Sequence, residues 1–300
     1  MNMLKGVALQ IGATLLFTIM AALVRIVSER LPTGEVMFAR SFFALFPLLA
    51  LLVVRNEIGS AVRTANPFGH VVRGTIGVCG MTFTFLGLAR LPLADATAIG
   101  FAAPLLTVVL AALFLGETVR LNRWLAVLAG LCGIVVMLWP HLDGGFGRSA
   151  HGALGAMFSL VAAFCTAGAM IQIRHLTATE TTAAIVFYFQ ALAAVAALAT
   201  APWGWTLPNA GDAMLLLAIG FLGGVGQILV TESFRAAPAS LVAPFAYSAM
   251  LWSLLLGFIL FGEIPPLLVV LGAAIVIAAG LFVVWNERRG PVDGGTGPVA

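Results

Sequence analysis

The chain has 300 residues, of which 61% are hydrophobic and only 9% are charged, and its formal net charge is +3. A soluble domain has roughly 45–50% apolar and about 25% charged residues, so this composition excludes a water-soluble globular fold. The apolar stretches are continuous rather than alternating, which argues against a β-barrel. The composition therefore predicts an all-α membrane protein that crosses the bilayer several times.

A spanning helix needs about 20 mostly apolar residues. Ten stretches meet this requirement, and in chain order they are 7–27, 34–54, 71–89, 94–115, 122–139, 152–173, 181–201, 212–234, 239–261 and 267–285. The first stretch is too long for the apolar part of a signal peptide, so we expect it to be retained as a helix. The polar segment 287–300 is predicted to be a disordered tail.

The two halves of the chain are related by a shift of 146 residues without a gap. The shift superposes Gly74, Gly77, Gly80, Pro92 and Gly116-Glu117 on Gly220, Gly223, Gly226, Pro238 and Gly262-Glu263. Each half, 1–140 and 141–286, contains five predicted spans, and because five is odd the second half must cross the membrane in the opposite orientation. Two inverted five-helix repeats are typical of transporters that work by alternating access.

The distribution of basic residues predicts which side of the membrane each connection occupies. If the N-terminus is cytoplasmic, the outer loops contain only Arg30, Arg90 and Arg148, and the inner segments contain Lys5, Arg55, Arg63, Arg73, Arg120, Arg123, Arg174, Arg235, Arg288 and Arg289. This excess favours an orientation with both termini in the cytoplasm. Arg25 and Arg40 lie within helix ends on the outer side and are not counted.

Short motifs recur in order in both halves. The first half has Ala89-Arg90-Leu91-Pro92-Leu93-Ala94, Pro104-Leu105 and Leu115-Gly116-Glu117, and the second has Phe234-Arg235-Ala236-Ala237-Pro238-Ala239-Ser240 and Phe261-Gly262-Glu263. Over residues 6–285 this pattern resembles the drug/metabolite transporter superfamily, specifically its EamA-type ten-helix exporters. Within that group the chain is similar to the YddG type of exporter, which is associated with aromatic amino acids.

The resemblance implies an inner-membrane protein that exports amino acids, chiefly neutral or aromatic ones, or similar small metabolites. The substrate would lie in a central cavity between the two repeats, near the bilayer midplane. One departure is visible, because Pro104 corresponds by the shift to Met250 and the second half has Pro244 instead. The kinks of the two halves should therefore lie at different depths.

Polar side chains inside a membrane are costly unless they face protein or water, so they are the best indicators of a substrate path. With neighbouring aromatic residues they give a candidate substrate-binding set of Thr18, Thr82, Phe83, Phe101, Gln172, Gln227, Tyr247, Ser248 and Trp252. The alternative for each Ser or Thr is a hydrogen bond to a carbonyl of its own helix. The alternative for each aromatic ring is packing against lipid or core.

Prolines and small residues within the spans give candidate hinge or gating positions. Proline frees a backbone carbonyl and bends a helix, and glycine lets two helices approach closely. The candidates are Pro104, Pro244, Gly77, Gly80, Gly223 and Gly226. Close packing is the alternative for the glycines, and a purely structural kink is the alternative for the prolines.

Charged residues near the helix ends are predicted to have partners. Glu117 and Glu263 end their helices where the dipole disfavours an anion, so we expect each to have an arginine or backbone N–H partner. Arg25, Arg40 and Asp95 could form a network. The alternative is that the arginines snorkel to the interface. No carboxylate is predicted at mid-depth, so any coupling proton must use peripheral acids, or else the protein is a facilitator.

Other classes of function find little support in the sequence. The four histidines map to loops or helix ends, and no zinc-protease or nucleotide-binding motif occurs, so we expect neither catalysis, a cofactor nor a metal. Nucleic-acid binding is not expected either. The expected partners are the lipid bilayer and a small-molecule substrate. Two alternatives remain: a multidrug or nucleotide-sugar carrier of the same fold, and a membrane protein that transports nothing.

Overall fold

The computed structural model describes residues 3–114, 121–142, 150–237 and 239–289. All regular elements among these residues are helical. Some positions used in the predictions lie outside the described residues, namely the Gly116-Glu117 pair, most of the joint between the halves at 143–149, Pro238 and residues 290–300 of the tail.

Seven helices are described in the first half. They are α1 (Met3–Val27), α2 (Thr33–Val54), the short α3 (Ile58–Val62), α4 (Pro67–Leu88), α5 (Leu93–Gly100), α6 (Ala102–Phe114) and α7 (Leu121–Leu142). Asn66 begins α4, since its side chain accepts a hydrogen bond of 2.8 Å from the N–H of Gly69 and Pro67 occupies the first helical position.

Six α-helices and a 3₁₀ turn are described in the second half. They are α8 (Ala150–Leu176), α9 (Thr182–Leu198), α10 (Ala210–Ala236), α11 (Ala239–Val242), the 3₁₀ turn Ala243–Tyr247, α12 (Ser248–Phe261) and α13 (Leu267–Arg289). Because α13 extends to Arg289, the first three residues of the predicted tail are helical.

Seven helical segments of the described chain are long and apolar enough to cross a membrane, with α5 and α6 together forming one of them. Three further apolar helices are shorter, and they are Trp124–Trp139, Thr182–Leu198 and Leu267–Phe282. All ten coincide with predicted spans. The protein is therefore a helical, multi-pass membrane protein.

Two of the predicted spans are interrupted, each beside a proline. The span 94–115 breaks at Phe101, whose N–H bonds to the carbonyl of Ala98 at 3.2 Å, three residues before Pro104. The span 239–261 starts as a short helix and a 3₁₀ turn that contains Pro244, and regular α-helix begins only at Ser248. Proline has no N–H to donate and its ring crowds the preceding turn, so both interruptions follow from local sequence.

Glycines of α4 and α10 allow close contacts with helices of the other half. A Cβ atom added at Gly80 would lie 3.1 Å from the Cβ of Cys165 in α8, and one added at Gly226 would lie 3.0 Å from the ring of Phe17 in α1. Small residues permit this approach of helix backbones in membranes. Gly80 and Gly226 thus act in helix packing.

The bundle has two ends that differ in their contacts. We call the end formed by 28–32, 89–92, 199–209 and 262–266 the Glu263 end, and the end formed by 55–66, 174–181 and 232–237 the Arg55 end. A buried apolar cluster fills the bundle towards the Glu263 end, and it includes Val27, Val36, Leu93, Ala197 and Ile219.

At the Arg55 end, Glu180 joins the loop after α8 to the loop before α4. Its Oε1 accepts hydrogen bonds from the hydroxyl of Thr64 at 2.8 Å and from the backbone N–H groups of Ala65 at 2.8 Å and Asn66 at 2.7 Å. Its Oε2 lies 3.5 Å from Nε2 of His70. One carboxylate therefore fixes the start of α4 against the second half.

We expect the substitution Gly220→Ala to destabilise the protein. The added Cβ would collide with the side chain of Phe43 and lie 2.9 Å from the carbonyl oxygen of Ala39, which cannot move without shifting α2. Overpacking of this kind costs about 1–3 kcal/mol. Thermal unfolding in detergent measures the effect, and Gly59→Ala is the control because its Cβ would meet nothing within 4 Å. Equal midpoints for the two variants would contradict the packing role.

We also expect Glu180 to make stability depend on pH. Burial raises the pKa of Glu180, but the hydrogen bonds from Thr64, Asn66, Ala65 and His70 outweigh it and hold the pKa below its ordinary value of 4.5. A carboxylate with a lowered pKa adds stability that is fully present above 4.5 and is lost as the pH falls through the folded-state value.

The measurement is the difference in unfolding temperature between the wild type and Glu180→Gln as a function of pH. The wild type should be the more stable protein at neutral pH, and the difference should shrink once the pH falls below about 4.5. Glu29→Gln, at an exposed position, should show no such trend. A difference that does not change with pH would exclude the ionised carboxylate as its cause.

Candidate functional site

A cavity of about 660 Å³ lies between α9 and α10, which both pack against α2. Its mouth at the Arg55 end includes the exposed residues Ser60, Thr177 and Arg235, and it reaches inwards to Gln190 and Gly224 in the middle of their helices. Its walls are mainly aliphatic side chains of α2, α9 and α10. Towards the other end, the apolar cluster closes the bundle.

Arg73 of α4 lines this cavity. Its guanidinium carbon lies 4.2 Å from the ring centroid of Phe189, a cation–π arrangement. The Nε and Nη1 atoms of Arg73 are buried and have no hydrogen-bond partner among the described residues. One turn along α4, Gly77 leaves room for the pair, since a Cβ there would collide with Nη1 of Arg73 and lie 2.6 Å from the Phe189 ring.

Arg40 of α2 is the second buried cation near the cavity. Its Nη1 donates a hydrogen bond of 2.8 Å to Oε1 of Gln190, which lines the cavity. Arg40 and Arg73 contact consecutive residues of α9, namely Gln190 and Phe189. Neither arginine has an acidic side chain within ion-pair distance in the described part of the chain.

The arginines at the mouth of the cavity are paired, in contrast. Arg55 Nη1 lies 2.9 Å from Oε1 of Glu232, and Arg235 Nη1 lies 3.5 Å from the same oxygen. The hydrogen bond to Glu232 raises the pKa of Arg55 above its ordinary value. Glu57 also lies at the mouth, and it is the single acidic residue among the described residues that line the cavity.

Of the predicted substrate-binding residues, Gln227 lines the cavity. The hydroxyl of Thr18 donates to the carbonyl of Thr14 at 2.8 Å, and the hydroxyl of Thr82 donates to the carbonyl of Val78 at 2.8 Å. Both are hydrogen bonds within one helix, the alternative given above for Ser and Thr. Phe83 packs against Phe158 with ring centroids 5.7 Å apart. Gln172 is half-buried in α8 and does not line the cavity.

Four other predicted residues gather where the interrupted spans meet α1. Phe101 and Tyr247 contact edge to face with centroids 5.0 Å apart, and the hydroxyl oxygens of Ser248 and Thr14 are 2.7 Å apart. The Nε1 atom of Trp252 is buried without an acceptor among the described residues. Of the predicted set, Gln227 thus lines the cavity and Phe101, Tyr247 and Ser248 lie in this packed cluster, and a role in transport for any member of the set stays a prediction.

The predicted hinge positions lie at two kinds of place. Pro104 and Pro244 stand beside the helix interruptions described above. Gly77 lies beside Arg73, and a Cβ at Gly223 would lie 3.4 Å from Nε of Arg40, whereas Gly80 and Gly226 contact helices α8 and α1. Whether any of them moves during transport stays a prediction.

At the opposite end, Glu263 ties together three parts of the chain. Gly262 ends α12 in the left-handed conformation, with φ of 65°, and the N–H of Glu263 bonds to the carbonyl of Gly257 at 3.1 Å. The carboxylate forms an ion pair with Arg25 and accepts a hydrogen bond of 3.1 Å from the N–H of Leu93. The expectation that Glu263 has an arginine and a backbone partner is confirmed, and Arg25 and Arg40 have separate partners.

Three residues of the cavity are absent from the predicted substrate-binding set. Gln190 and Phe189 have no predicted role, and Arg73 is predicted only as a basic residue on the inner side. A signal was available, because Arg40, Arg73 and Gln190 each interrupt an apolar stretch in the same way as Gln227 does.

Among the described residues, no group of three or more His, Cys, Asp or Glu side chains could hold a metal.

We expect the Arg25–Glu263 pair to stabilise the Glu263 end. Both side chains are mostly buried, with exposed fractions of 21% and 16%, and Arg25 also lies 4.2 Å from the ring centroid of Phe261. A double-mutant cycle of Arg25→Gln and Glu263→Gln, read by thermal unfolding, should give a coupling energy of about 1–3 kcal/mol.

The comparison pair for this cycle is Arg30–Asp212 at the same end, where Arg30 is 47% exposed. Solvent screening should make its coupling energy clearly smaller than that of Arg25–Glu263. A coupling at Arg25–Glu263 no larger than that of Arg30–Asp212 would mean that the pair does not hold this end together.

Comparison with known proteins identifies the family. The model of the EamA-like transporter family matches the chain twice, at residues 4–139 and 153–285. A solved crystal structure with 22% sequence identity has the same fold, with a TM-score of 0.67 over 96% of this chain and 99% of that chain.

Three curated relatives are named as transporters. The S-adenosylmethionine uptake transporter of Rickettsia prowazekii is 31% identical over 87% of this chain and 85% of its own. The pseudopaline exporter CntI of Pseudomonas aeruginosa is 33% identical over 93% of this chain and 96% of its own. The riboflavin transporter of Rhizobium johnstonii is 31% identical over 81% of this chain and 79% of its own. With both halves matched by the family model, this chain is a member of the EamA-like transporter family, within the drug/metabolite transporter superfamily.

Proposed function

We propose that this protein is a secondary transporter of a bacterial-type inner membrane that exports amino acids or similar small metabolites by alternating access. The observation that carries the proposal is the cavity of about 660 Å³, which opens at the Arg55 end while apolar packing and the Arg25–Glu263 pair close the Glu263 end. A cavity open to one side only is one of the two states that alternating access requires.

The proposal includes ten spans arranged as two inverted repeats. The double match of the family model supports the repeat. Packing supports it too: Gly74 contacts Leu192 of α9, while Gly220, its equivalent by the shift, contacts Phe43 of α2. The first helices of the two halves also start at opposite ends, because Gly6 lies against residues 233–237 and Gly155 lies against residues 90–91.

We propose that the Arg55 end faces the cytoplasm, with both termini on that side. The support is the excess of basic residues in the segments that this orientation places inside. The cavity is then open to the cytoplasm and is ready to accept a substrate for export. The relatives are named for uptake in one case and export in another, so the fold serves both directions.

Amino acids suit the lining of this cavity. Phe189 and the aliphatic residues of α2, α9 and α10 offer apolar walls, and Gln190, Gln227 and Thr231 offer polar groups among them. Such a surface favours small amphiphilic molecules with neutral or aromatic side chains. The acid Glu57 lies at the mouth, so a coupling proton would be bound at the rim and not deep in the cavity.

The test is flux of radiolabelled compounds in liposomes containing the purified protein, with and without a pH gradient. The panel holds neutral, aromatic and charged amino acids, S-adenosylmethionine, riboflavin and a nucleotide sugar. We expect flux of neutral or aromatic amino acids, and we expect Gln227→Ala to reduce it several-fold through loss of a polar contact in the cavity.

Thr107→Ala, a substitution in α6 outside the cavity, is the control for Gln227→Ala because the Thr107 hydroxyl is bonded to the carbonyl of Ala103 within its own helix. Flux of a nucleotide sugar or of riboflavin alone would replace the amino-acid assignment. Absence of flux for the whole panel, with folded protein in the liposomes, would contradict the transport proposal for these compounds. Equal flux with and without the pH gradient would indicate facilitated diffusion.

A further inference from the structure

We propose that Arg73 and Arg40 form a carboxylate-binding site at the inner end of the cavity, and that transport selects substrates through this group. The inference rests on the proposed transport function and adds the chemical class of the substrate.

The state of Arg73 is the first reason. A guanidinium group offers five N–H donors, and buried donors in proteins are nearly always hydrogen-bonded. In Arg73 the Nε and Nη1 atoms are buried without a partner in the described part of the chain, and the ring of Phe189 covers one face of the group. The side chain is thus held in place at the cavity wall, with buried donors that no group in the described part of the chain satisfies.

The imbalance of charge inside the cavity is the second reason. At the mouth, Arg55 and Arg235 share the carboxylate of Glu232. Further in, the uncharged amide of Gln190 is the hydrogen-bond partner of Arg40, and Arg73 has no ion-pair partner among residues 3–114, 121–142, 150–237 and 239–289. Two positive charges that no acidic side chain neutralises would be stabilised by an anion bound beside them.

The repeat itself supplies a third reason. By the shift of 146 residues, Arg40 corresponds to Val186 and Arg73 corresponds to Ile219. In the second half, apolar residues therefore fill the places that the arginines occupy in the first half. Helix packing does not demand a cation at these positions, so a ligand is the better explanation for two charges that are costly in a membrane.

A carboxylate fits this site better than a phosphate ester. A carboxylate has two oxygens to satisfy and one charge, and arginine binds carboxylates well in planar geometry. A phosphate monoester has three terminal oxygens and up to two charges. Apart from the arginines, the inner polar groups are Gln190, Gln227 and Thr231, and the surrounding walls are mainly aliphatic.

The first experiment compares the amino acid that gives the largest flux with its own carboxamide, as competitors for flux in liposomes. For the wild type, we expect the carboxamide to compete at least tenfold less well. Arg73→Gln should remove that preference, and Arg73→Lys should retain part of it because the charge remains. Arg63→Gln is the control, since Arg63 is an exposed residue of the same end outside the cavity.

Gln190→Glu is a second variant that keeps the shape of the side chain and guards against loss of folding. The new carboxylate would pair with Arg40 and occupy the site from within, so the preference for the acid over the carboxamide should fall on the order of tenfold. Equal competition by the carboxamide in the wild type would overturn the inference and leave the transport function standing. So would a preference that both Arg73→Gln and Gln190→Glu retain.

A binding measurement decides the inference if the wild type transports no amino acid, an outcome that would count against the proposed function alone. Thermal unfolding in detergent is recorded with 3-phenylpropionate, 3-phenylpropionamide and phenyl phosphate. Stabilisation by the carboxylate in the wild type, lost in Arg73→Gln, would support the site. Stabilisation by none of them, or by the carboxamide equally, would overturn it, and stronger stabilisation by phenyl phosphate would replace carboxylate with phosphate.

Discussion

The helices of this protein approach each other closely at glycine residues, and this contact positions the remaining elements. In a bilayer, helices gain little from hiding apolar surface from lipid, so their association relies on van der Waals contact over short distances. Gly80 provides that contact between α4 and α8, and Gly226 provides it between α10 and α1. These contacts join the two halves. They leave a cavity between α9 and α10, and both of these helices pack against α2.

Charge is distributed over this scaffold in two ways. At the helix ends, acids and bases meet, and Glu263 with Arg25 closes one end while Glu232 and Glu180 bind partners at the other. Such contacts define the ends of helices and the geometry of loops. Within the bundle, Arg40 and Arg73 have no acid partner among the described residues. Paired charges thus organise the helix ends, whereas Arg73 lines the cavity and Arg40 bonds to the lining residue Gln190.

The two halves of the chain share packing residues but differ in the residues that line the cavity. The glycines that pack the helices recur at equivalent places in both halves, whereas the polar residues of the cavity do not: Arg40 matches Val186, Arg73 matches Ile219 and Gln190 matches Ala44. The distance between packed helices restricts which residues fit at their contacts, whereas it does not restrict the residues that face the cavity. Relatives named for S-adenosylmethionine, pseudopaline and riboflavin match this chain along most of their length. Differences in cargo can therefore reside in a few lining residues.

Hydrophobicity over about 20 residues and the spacing of glycine and proline are local properties, and they are enough to predict the class of protein, the positions of the apolar helices and the family. They also predict the interruptions near Pro104 and Pro244, since proline acts on its own helix. Which polar residues share a cavity, in contrast, depends on tertiary packing. Gln227 and Ser248 look alike as polar interruptions of apolar stretches, yet one lines the cavity and the other contacts Thr14. Likewise, Arg73 meets Phe189 and Arg40 meets Gln190 across more than a hundred residues of chain. The direction of a side chain around a helix and the choice of its neighbour depend on how whole helices pack, and no local pattern contains that information.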